Sequence, residues 1–495
     1  MALDQGTSSS RAIIYDAHGT VVASAQQPFD MILPAEGWVE QDPEVLWQSI
    51  LDVGREAIAS AAIEPQQIAC IGITNQRETT LVWDRVTGDC VYNAIVWQDS
   101  RTADLCAELR ERDRDGEPLP QWIQNKTGLV VDPYFSATKL SWILDREDLR
   151  SRAEAGELAF GTVDTYLVWR LTGGAAHRTD ISNASRTLLL DIHTQNWDAE
   201  LLELFAVPEP ILPEVCDNAF HFGTTEAEWF GAPIPITGIA GDQQSALIGQ
   251  GCFAPGQTKS TYGTGCFVMA NTGGFAVKSH QQLLTTVAYR VGGEITYALE
   301  GSIFVAGVAI KWLRDQMGLI DSAEETSAAF ERCQGDTHGV YVVPAFTGLG
   351  APHWQANARA LITGLTLDSH RDHVVTAFLQ SVVFQTAELK DAMIADGASV
   401  EELRVDGGMV VNDRLCQFLA DILGVKVLRP QDVETTALGA AILAGVGAGH
   451  FADLHAASAA WQLDREFLPE MAASERERRL QGYAKAEQQV LAGVT

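Results

Sequence analysis

The sequence predicts an α/β protein of two similar domains, each with a mixed sheet flanked by helices, facing one cleft. Three observations carry this. Short apolar strands alternate with amphipathic helical stretches along the chain. A Gly-Thr turn between two strands stands near the head of each half, at Gly6-Thr7 and again at Gly263-Thr264. And 495 residues are too many for a single hydrophobic core. The boundary is placed near residue 250, where Gly249, Gly251, Pro255 and Gly256 cluster, giving domains 1–250 and 251–495.

The elements follow in order. Residues 12–15 read as a strand, 16–19 as a turn and 20–25 as the return. Asp42-Pro43 offers an N-cap with proline at the first helical position, and Leu46, Ile50, Val53 and Ala57 then mark one helix face. Residues 68–74 form a continuous apolar run, as in a buried strand; 79–83 and 91–97 flank a Thr-Gly-Asp turn, and 99–112 should be helical. In the second half, 258–262 and 266–270 flank the second Gly-Thr turn, and 285–291 and 294–299 flank Gly292-Gly293. A strand at 403–405, a helix at 413–423, a strand at 425–428 and a helix at 436–448 come next. The last stretch, 474–491, is rich in Glu, Arg, Gln and Ala and reads as a surface helix.

Composition narrows the partners. With 65 acidic and 34 basic residues the chain carries −31, which repels nucleic acid and anionic membrane. Eight cysteines (70, 90, 106, 216, 252, 266, 333, 416) are scattered without metal-ligand spacing, as expected of small buried side chains in a reducing cytoplasm. No apolar run is long enough for stable membrane insertion, so the expected location is cytoplasmic. Only three residues precede Asp4, fewer than a central strand usually has; the natural product is expected to begin upstream.

Several clusters could carry chemistry. In Asp4-Gln5-Gly6-Thr7-Ser8-Ser9-Ser10-Arg11, a strand-end aspartate can hold Mg²⁺ through water while glycine and hydroxyls close around phosphate oxygens; the same pattern also occurs in plain turns. Arg77-Glu78, where the buried strand ends, pairs a fork of donors with two acceptors and can grip neighbouring hydroxyls of a polyol, or be an ordinary ion pair. Trp97 and Tyr134 could wall a carbon backbone, or be core. Asp242, in Gly241-Asp242-Gln243-Gln244-Ser245, can accept a hydroxyl proton in phosphoryl transfer, or cap a helix. Asp406-Gly407-Gly408 could let a flat adenine lie close against backbone, or be a plain turn. No P-loop or dinucleotide fingerprint is present.

Read in order, Asp4-Gln5-Gly6-Thr7, Asn75 to Thr80, Asp132-Pro133-Tyr134-Phe135, Gly161-Thr162-Val163-Asp164-Thr165, Gly241-Asp242-Gln243-Gln244, Tyr262-Gly263-Thr264-Gly265, residues 346–352 and Asp406-Gly407-Gly408 closely resemble the glycerol-kinase branch of the carbohydrate kinases. The likeness runs over nearly the whole chain. It implies two ribonuclease-H-like (actin-like ATPase) domains and Mg²⁺-dependent transfer of the ATP γ-phosphoryl group to a terminal hydroxyl of glycerol, giving sn-glycerol 3-phosphate and ADP. By motif, Arg77, Glu78, Tyr134, Asp242 and Gln243 should hold glycerol hydroxyls, with Trp97 and Phe267 on its carbon side. Asp242 should be the general base and Asp4 the metal-side carboxylate, the two together holding Mg²⁺. Thr7, Ser8, Ser9, Arg11 and Thr264 should meet phosphates, and Gly307, Gly408 and Asn412 the nucleoside. Lys311 stands where relatives often carry Gln; it either reaches phosphate or ribose, or faces solvent. A homo-oligomer, dimer or tetramer, is also implied. Two rivals are a sister kinase acting on a pentulose, hexulose or sugar acid, and a non-catalytic actin-like nucleotide switch. Adjacent Arg77 and Glu78 suit a three-carbon triol, and a switch has no need of a polyol grip.

Overall fold

The computed structural model describes residues 1–493. The first lobe starts as a meander of β1 (Ala2–Gln5), β2 (Ser9–Tyr15) and β3 (Val21–Pro28). Helix α1 (Pro43–Ala61) follows, with Asp42 as N-cap accepting from the Glu44 N–H at 2.9 Å. Its Leu46, Ile50, Val53 and Ala57 are buried as their spacing predicts. Strand β4 (Ile71–Asn75) is buried at all five positions, as a strand covered on both faces should be. After an insertion holding α2 (Ala103–Arg110) and α3 (Ser136–Leu144) come β5 (Ala219–Thr224), β6 (Pro235–Gly241) and α4 (Asp242–Gly249). The sheet order is β5-β6-β4-β1-β2-β3. Strands β6, β4 and β1 are parallel, and Gln5, Asn75 and Gly241 stand level at their carboxyl ends.

The second lobe repeats the plan. It contains β7 (Gln257–Tyr262), β8 (Cys266–Gly273), β9 (Leu284–Val291), β10 (Glu294–Ile303), α5 (Gly307–Asp315) and the long α6 (Arg371–Ala395). Then come β11 (Glu402–Asp406), α7 (Asp413–Leu423), β12 (Lys426–Pro430), α8 (Thr435–Gly447), β13 (Leu463–Phe467) and α9 (Ala473–Ala492). The order is β9-β10-β8-β7-β11-β12-β13. As in the first sheet, the leading strand β7 has an antiparallel hairpin partner on one side and parallel β11 and then β12 on the other.

Helix α8 crosses back to the first lobe and lies on β4, β6 and α4 at backbone distance. A Cβ on Gly72 would stand 2.1 Å from the Ala440 carbonyl oxygen, and one on Gly439 only 1.8 Å from that of Ser245. Asp406 Oδ2, at the end of β11, accepts from Thr435 at 2.5 Å and from Gln250 at 2.8 Å. One carboxylate thus ties the ends of α4, β11 and α8 together.

Four details differ from the sequence reading. The predicted helix 99–112 starts only at Ala103, because Asp99 turns back to accept from the Val39 N–H at 2.6 Å and from Arg101. The predicted pair 79–83 and 91–97 touches only through bridges at Thr80–Ile95 and Trp83–Cys90. Residues 81–84 pair instead with 158–161, and Ala94–Ile95 with Glu40–Gln41. Helix α9 is not all surface, since Tyr483, Ala486, Glu487 and Val490 are buried. All eight cysteines are free, six of them buried. No helix among the described residues is long and apolar enough to cross a membrane.

Candidate functional site

Because the parallel strands end level, the residues just beyond them share one rim, the usual place for ligands in such sheets. Arg77 follows β4 and is only 2% exposed. Its guanidinium grips Glu300 of β10 in a fork, at 2.6 Å from NH1 and 2.9 Å from NH2. Its Nε lies 3.2 Å from Asp242 Oδ1. Glu78 has φ +60, a left-handed backbone that a side chain other than glycine seldom adopts and that concentrates at functional sites. Its Oε1 accepts from Arg186 Nε at 2.7 Å, and Arg186 also reaches Glu300 at 3.1 Å. Burial works against ionising Glu300, yet Arg186 and Arg77 hold its carboxyl down at about 2. Burial pushes Glu78 up, opposed by the same two arginines.

Asp242 differs from these acids in being open, with 30% of its side chain exposed. Gly241 takes the cap position of α4, so Asp242 is the first helical residue and its Oδ1 accepts from the Gln243 N–H at 2.7 Å. The capping reading of Asp242 therefore does not hold. Gln243 is fixed by the buried ammonium of Lys259, 2.5 Å from its Oε1. Around this polar group stand three aromatic rings. Trp97 meets Tyr134 edge-on at 5.5 Å and Phe267 of the second lobe at 6.3 Å. Lys139 of α3 donates to the carbonyls of Pro133, Tyr134 and Phe135 at 2.6, 2.7 and 3.0 Å, which fixes the loop bearing Tyr134. A cavity of about 470 Å³ opens beyond the wall, lined by Trp97, Tyr134, Phe304, Leu349 and Trp354 among others.

The first hairpin turn is closed by the Gly6 N–H to the Ser9 carbonyl at 3.0 Å. Trp97 Nε1 donates to Thr7 Oγ1 at 2.9 Å, so aromatic wall and hairpin are joined. Arg11 pairs with Glu434, bridging the lobes, and also donates to Gln26 at 3.1 Å; Ser9 accepts from Gln26 at 3.0 Å. Asp4 stands opposite Arg11 in the sheet register. Burial raises its carboxyl to about 7; Arg11 opposes this and Asp242 adds to it. Two carboxylates that feel each other, beside hydroxyl-bearing turns, make an all-oxygen donor set of the kind a hard divalent cation takes, so the residues fit Mg²⁺.

On the second lobe, Thr264 is exposed at the tip of the β7–β8 turn. The Gly307 N–H donates to the Gly263 carbonyl at 2.9 Å, and a Cβ on Gly307 would stand 2.6 Å from that oxygen. Gly407 has φ +90, whereas a Cβ at Gly408 would meet open space. Asn412 is engaged as the N-cap of α7, accepting from the Arg414 N–H at 2.9 Å and donating to Thr326 at 3.2 Å. Lys311 lies exposed on α5, one turn after Gly307. Neither it nor Ser8 makes a side-chain hydrogen bond among the described residues. Direct contacts thus join Thr7, Arg77, Trp97, Tyr134, Asp242, Gln243 and Phe267 into one group, with Glu78 and Asp4 coupled to it electrostatically. Thr264 and Gly307 form a second group, and Gly408 and Asn412 flank it.

Sequence reasoning missed Arg186, Glu300 and Lys259. The one local signal was Glu300 itself, an acid inside the apolar run Tyr297-Ala298-Leu299-Glu300-Gly301, which needs a buried partner.

Two like-wound α/β lobes, with carboxylates and hydroxyl-rich hairpins on a shared rim, define a phosphotransferase of the actin-like class. The chain belongs to the FGGY family of carbohydrate kinases: residues 1–249 match its N-terminal domain and residues 258–448 its C-terminal domain. It is 56% identical over 492 residues to a glycerol kinase of Ectopseudomonas mendocina (99% of this chain, 98% of that one). It is 55% identical over 491 residues to glycerol kinase 1 of Pseudomonas aeruginosa, with the same coverage. Among solved structures, Plasmodium falciparum glycerol kinase with ADP superposes with a TM-score of 0.90 at 38% identity, covering 99% of this chain and 97% of that one. A xylulose kinase from Rhodospirillum rubrum reaches 0.85 at 23% identity, a likeness of fold alone.

Proposed function

We propose that this chain transfers the γ-phosphoryl group of ATP to a terminal hydroxyl of glycerol, giving sn-glycerol 3-phosphate and ADP, the first step of glycerol breakdown. The observation that carries the reading is the buried fork of Arg77 on Glu300 with its Nε against the open carboxylate of Asp242. Residues 1–250 contribute the first phosphate hairpin and most of the glycerol site; residues 251–495 contribute the second hairpin and the nucleoside side.

Arg77, Glu78, Tyr134 and Gln243 hold the hydroxyls, and Trp97 and Phe267 cover the carbon face. Asp242 accepts the proton of the attacking hydroxyl, so that the oxygen gains nucleophilic character as its bond to phosphorus forms. Thr7, Ser8, Ser9 and Thr264 donate hydrogen bonds to the phosphates and Arg11 adds positive charge, since charge on the equatorial oxygens is what a loose transition state needs met. Gly307, Gly408 and Asn412 surround the nucleoside, and the room over Gly408 suits a flat base. Lys311, exposed one turn beyond Gly307, is assigned to the same nucleotide side, its rival being a lysine that faces solvent. Asp4 and Asp242 would hold Mg²⁺, which when bound supplies charge neutralisation at the phosphates. ADP release measured with glycerol, with D-xylulose and with no acceptor tests the reading. Release driven selectively by glycerol is expected. Release without acceptor would indicate a nucleotide switch, and preference for xylulose a sister kinase.

A further inference from the structure

On the second lobe, three segments distant in sequence bring together the imidazole of His353, the carboxyl of Glu388 on α6 and that of Glu487 on α9. Their ligand atoms all lie within 4.8 Å of one another. His353 Nε2 and Glu487 Oε1 are 3.0 Å apart, yet both are buried atoms without a hydrogen-bond partner. At that distance a simple ion pair would align donor and acceptor; here the two atoms are close but out of line. Tyr483, one turn before Glu487 on α9 and only 2% exposed, also has an unpartnered hydroxyl, and it lies near enough to feel the charges of both Glu388 and Glu487. Burial, and then Glu388 and Glu487, push its phenol up.

Two unpartnered buried polar atoms 3.0 Å apart, with a third buried close by, call for something that satisfies them together. A tetrahedral ion with bonds of about 2.1 Å sets its ligands roughly 3.4 Å apart, close to the His353–Glu487 separation. One imidazole with carboxylates suits zinc over magnesium. We infer that His353, Glu388 and Glu487 form a site for a zinc-class divalent cation, separate from the magnesium carboxylates Asp4 and Asp242, with its remaining coordination completed by water or the Tyr483 hydroxyl. The His353 side chain, 24% exposed, leaves a way in. A bound ion would pin the loop carrying His353, whose neighbours Leu349 and Trp354 line the cavity beside Tyr134, to α6 and α9.

The test titrates metal-stripped, full-length protein with Zn²⁺ and Co²⁺ in millimolar Mg²⁺. The expected result is one Zn²⁺ per chain by calorimetry, visible d–d bands with Co²⁺ typical of low coordination, and a Tm that rises with Zn²⁺. His353→Gln and Glu487→Gln should each weaken uptake at least tenfold and abolish the Tm rise. His353→Gln changes a partly exposed side chain, so it reads the site even if Glu487→Gln fails to fold. No uptake by the unaltered protein, or uptake that survives His353→Gln at full affinity, would overturn the inference.

Discussion

At the scale of single residues, Asp242 is set apart by access. Arg77, Glu78, Arg186 and Glu300 are sealed at 2% exposure or less, whereas Asp242 is 30% open on the rim the strands share. Asp242→Asn should therefore lower kcat by about 10²–10⁴-fold, with glycerol affinity by calorimetry changed only a few-fold; turnover near that of the unaltered protein would exclude it as base. Arg77→Ala has a second consequence that the motif alone does not convey. Besides raising the glycerol KM, it leaves the buried Glu300 with Arg186 as its remaining arginine partner, and since fully breaking a buried pair costs about 3–5 kcal/mol, denaturant unfolding should show a loss of stability up to that size. The motif was legible because Arg77 and Glu78 are adjacent and end an apolar run. Their counterparts were not, because Arg186 lies 108 positions from Glu78 and Glu300 lies 223 from Arg77; the acid at 300 inside an apolar run signals that it needs a partner, but nothing local says which residue that is.

At the scale of elements, α3 serves the site through Lys139. Burial lowers its ammonium to about 8, below the unfolded value of about 10.5. Between those values the unfolded chain binds more protons, so this group's contribution to stability is smallest below pH 8 and grows toward pH 10.5. Over the same rise the neutral amine keeps two N–H groups for three carbonyls, and the Tyr134 loop loosens. Glycerol KM should climb as pH passes about 8; in Lys139→Met it should be high at every pH, without that climb. Helix α8 supplies a second prediction. Gly439→Ala would place a methyl 1.8 Å from the Ser245 carbonyl oxygen, and should destabilise by about 3 kcal/mol or more, read as a lowered unfolding midpoint. Hairpins such as β9–β10 were legible because turn chemistry and strand period agree. Residues 81–84 and 94–95 took other partners because short apolar strands pair with whatever sheet edge the fold presents. The small-residue run of α8 was visible as a helix, but not the surface it would meet.

At the scale of the whole molecule, the duplicated plan was visible in two Gly-Thr turns, while the cross-ties were not. Arg11 with Glu434, Asp406 with Gln250, and Trp97 against Phe267 all join the halves. On the proposed reading, the aromatic wall takes one ring from the far lobe, so the site depends on the lobes lying close, and closure would also keep water from the phosphoryl group. Solution scattering should accordingly show a smaller radius of gyration with glycerol and a non-hydrolysable ATP analogue together than with either alone. The most direct measurement is a crystal structure of that ternary complex with Mg²⁺. The account predicts glycerol oxygens within hydrogen-bonding distance of Arg77, Glu78 and Asp242, with a terminal hydroxyl facing the γ-phosphate; glycerol bound away from those three side chains would contradict it.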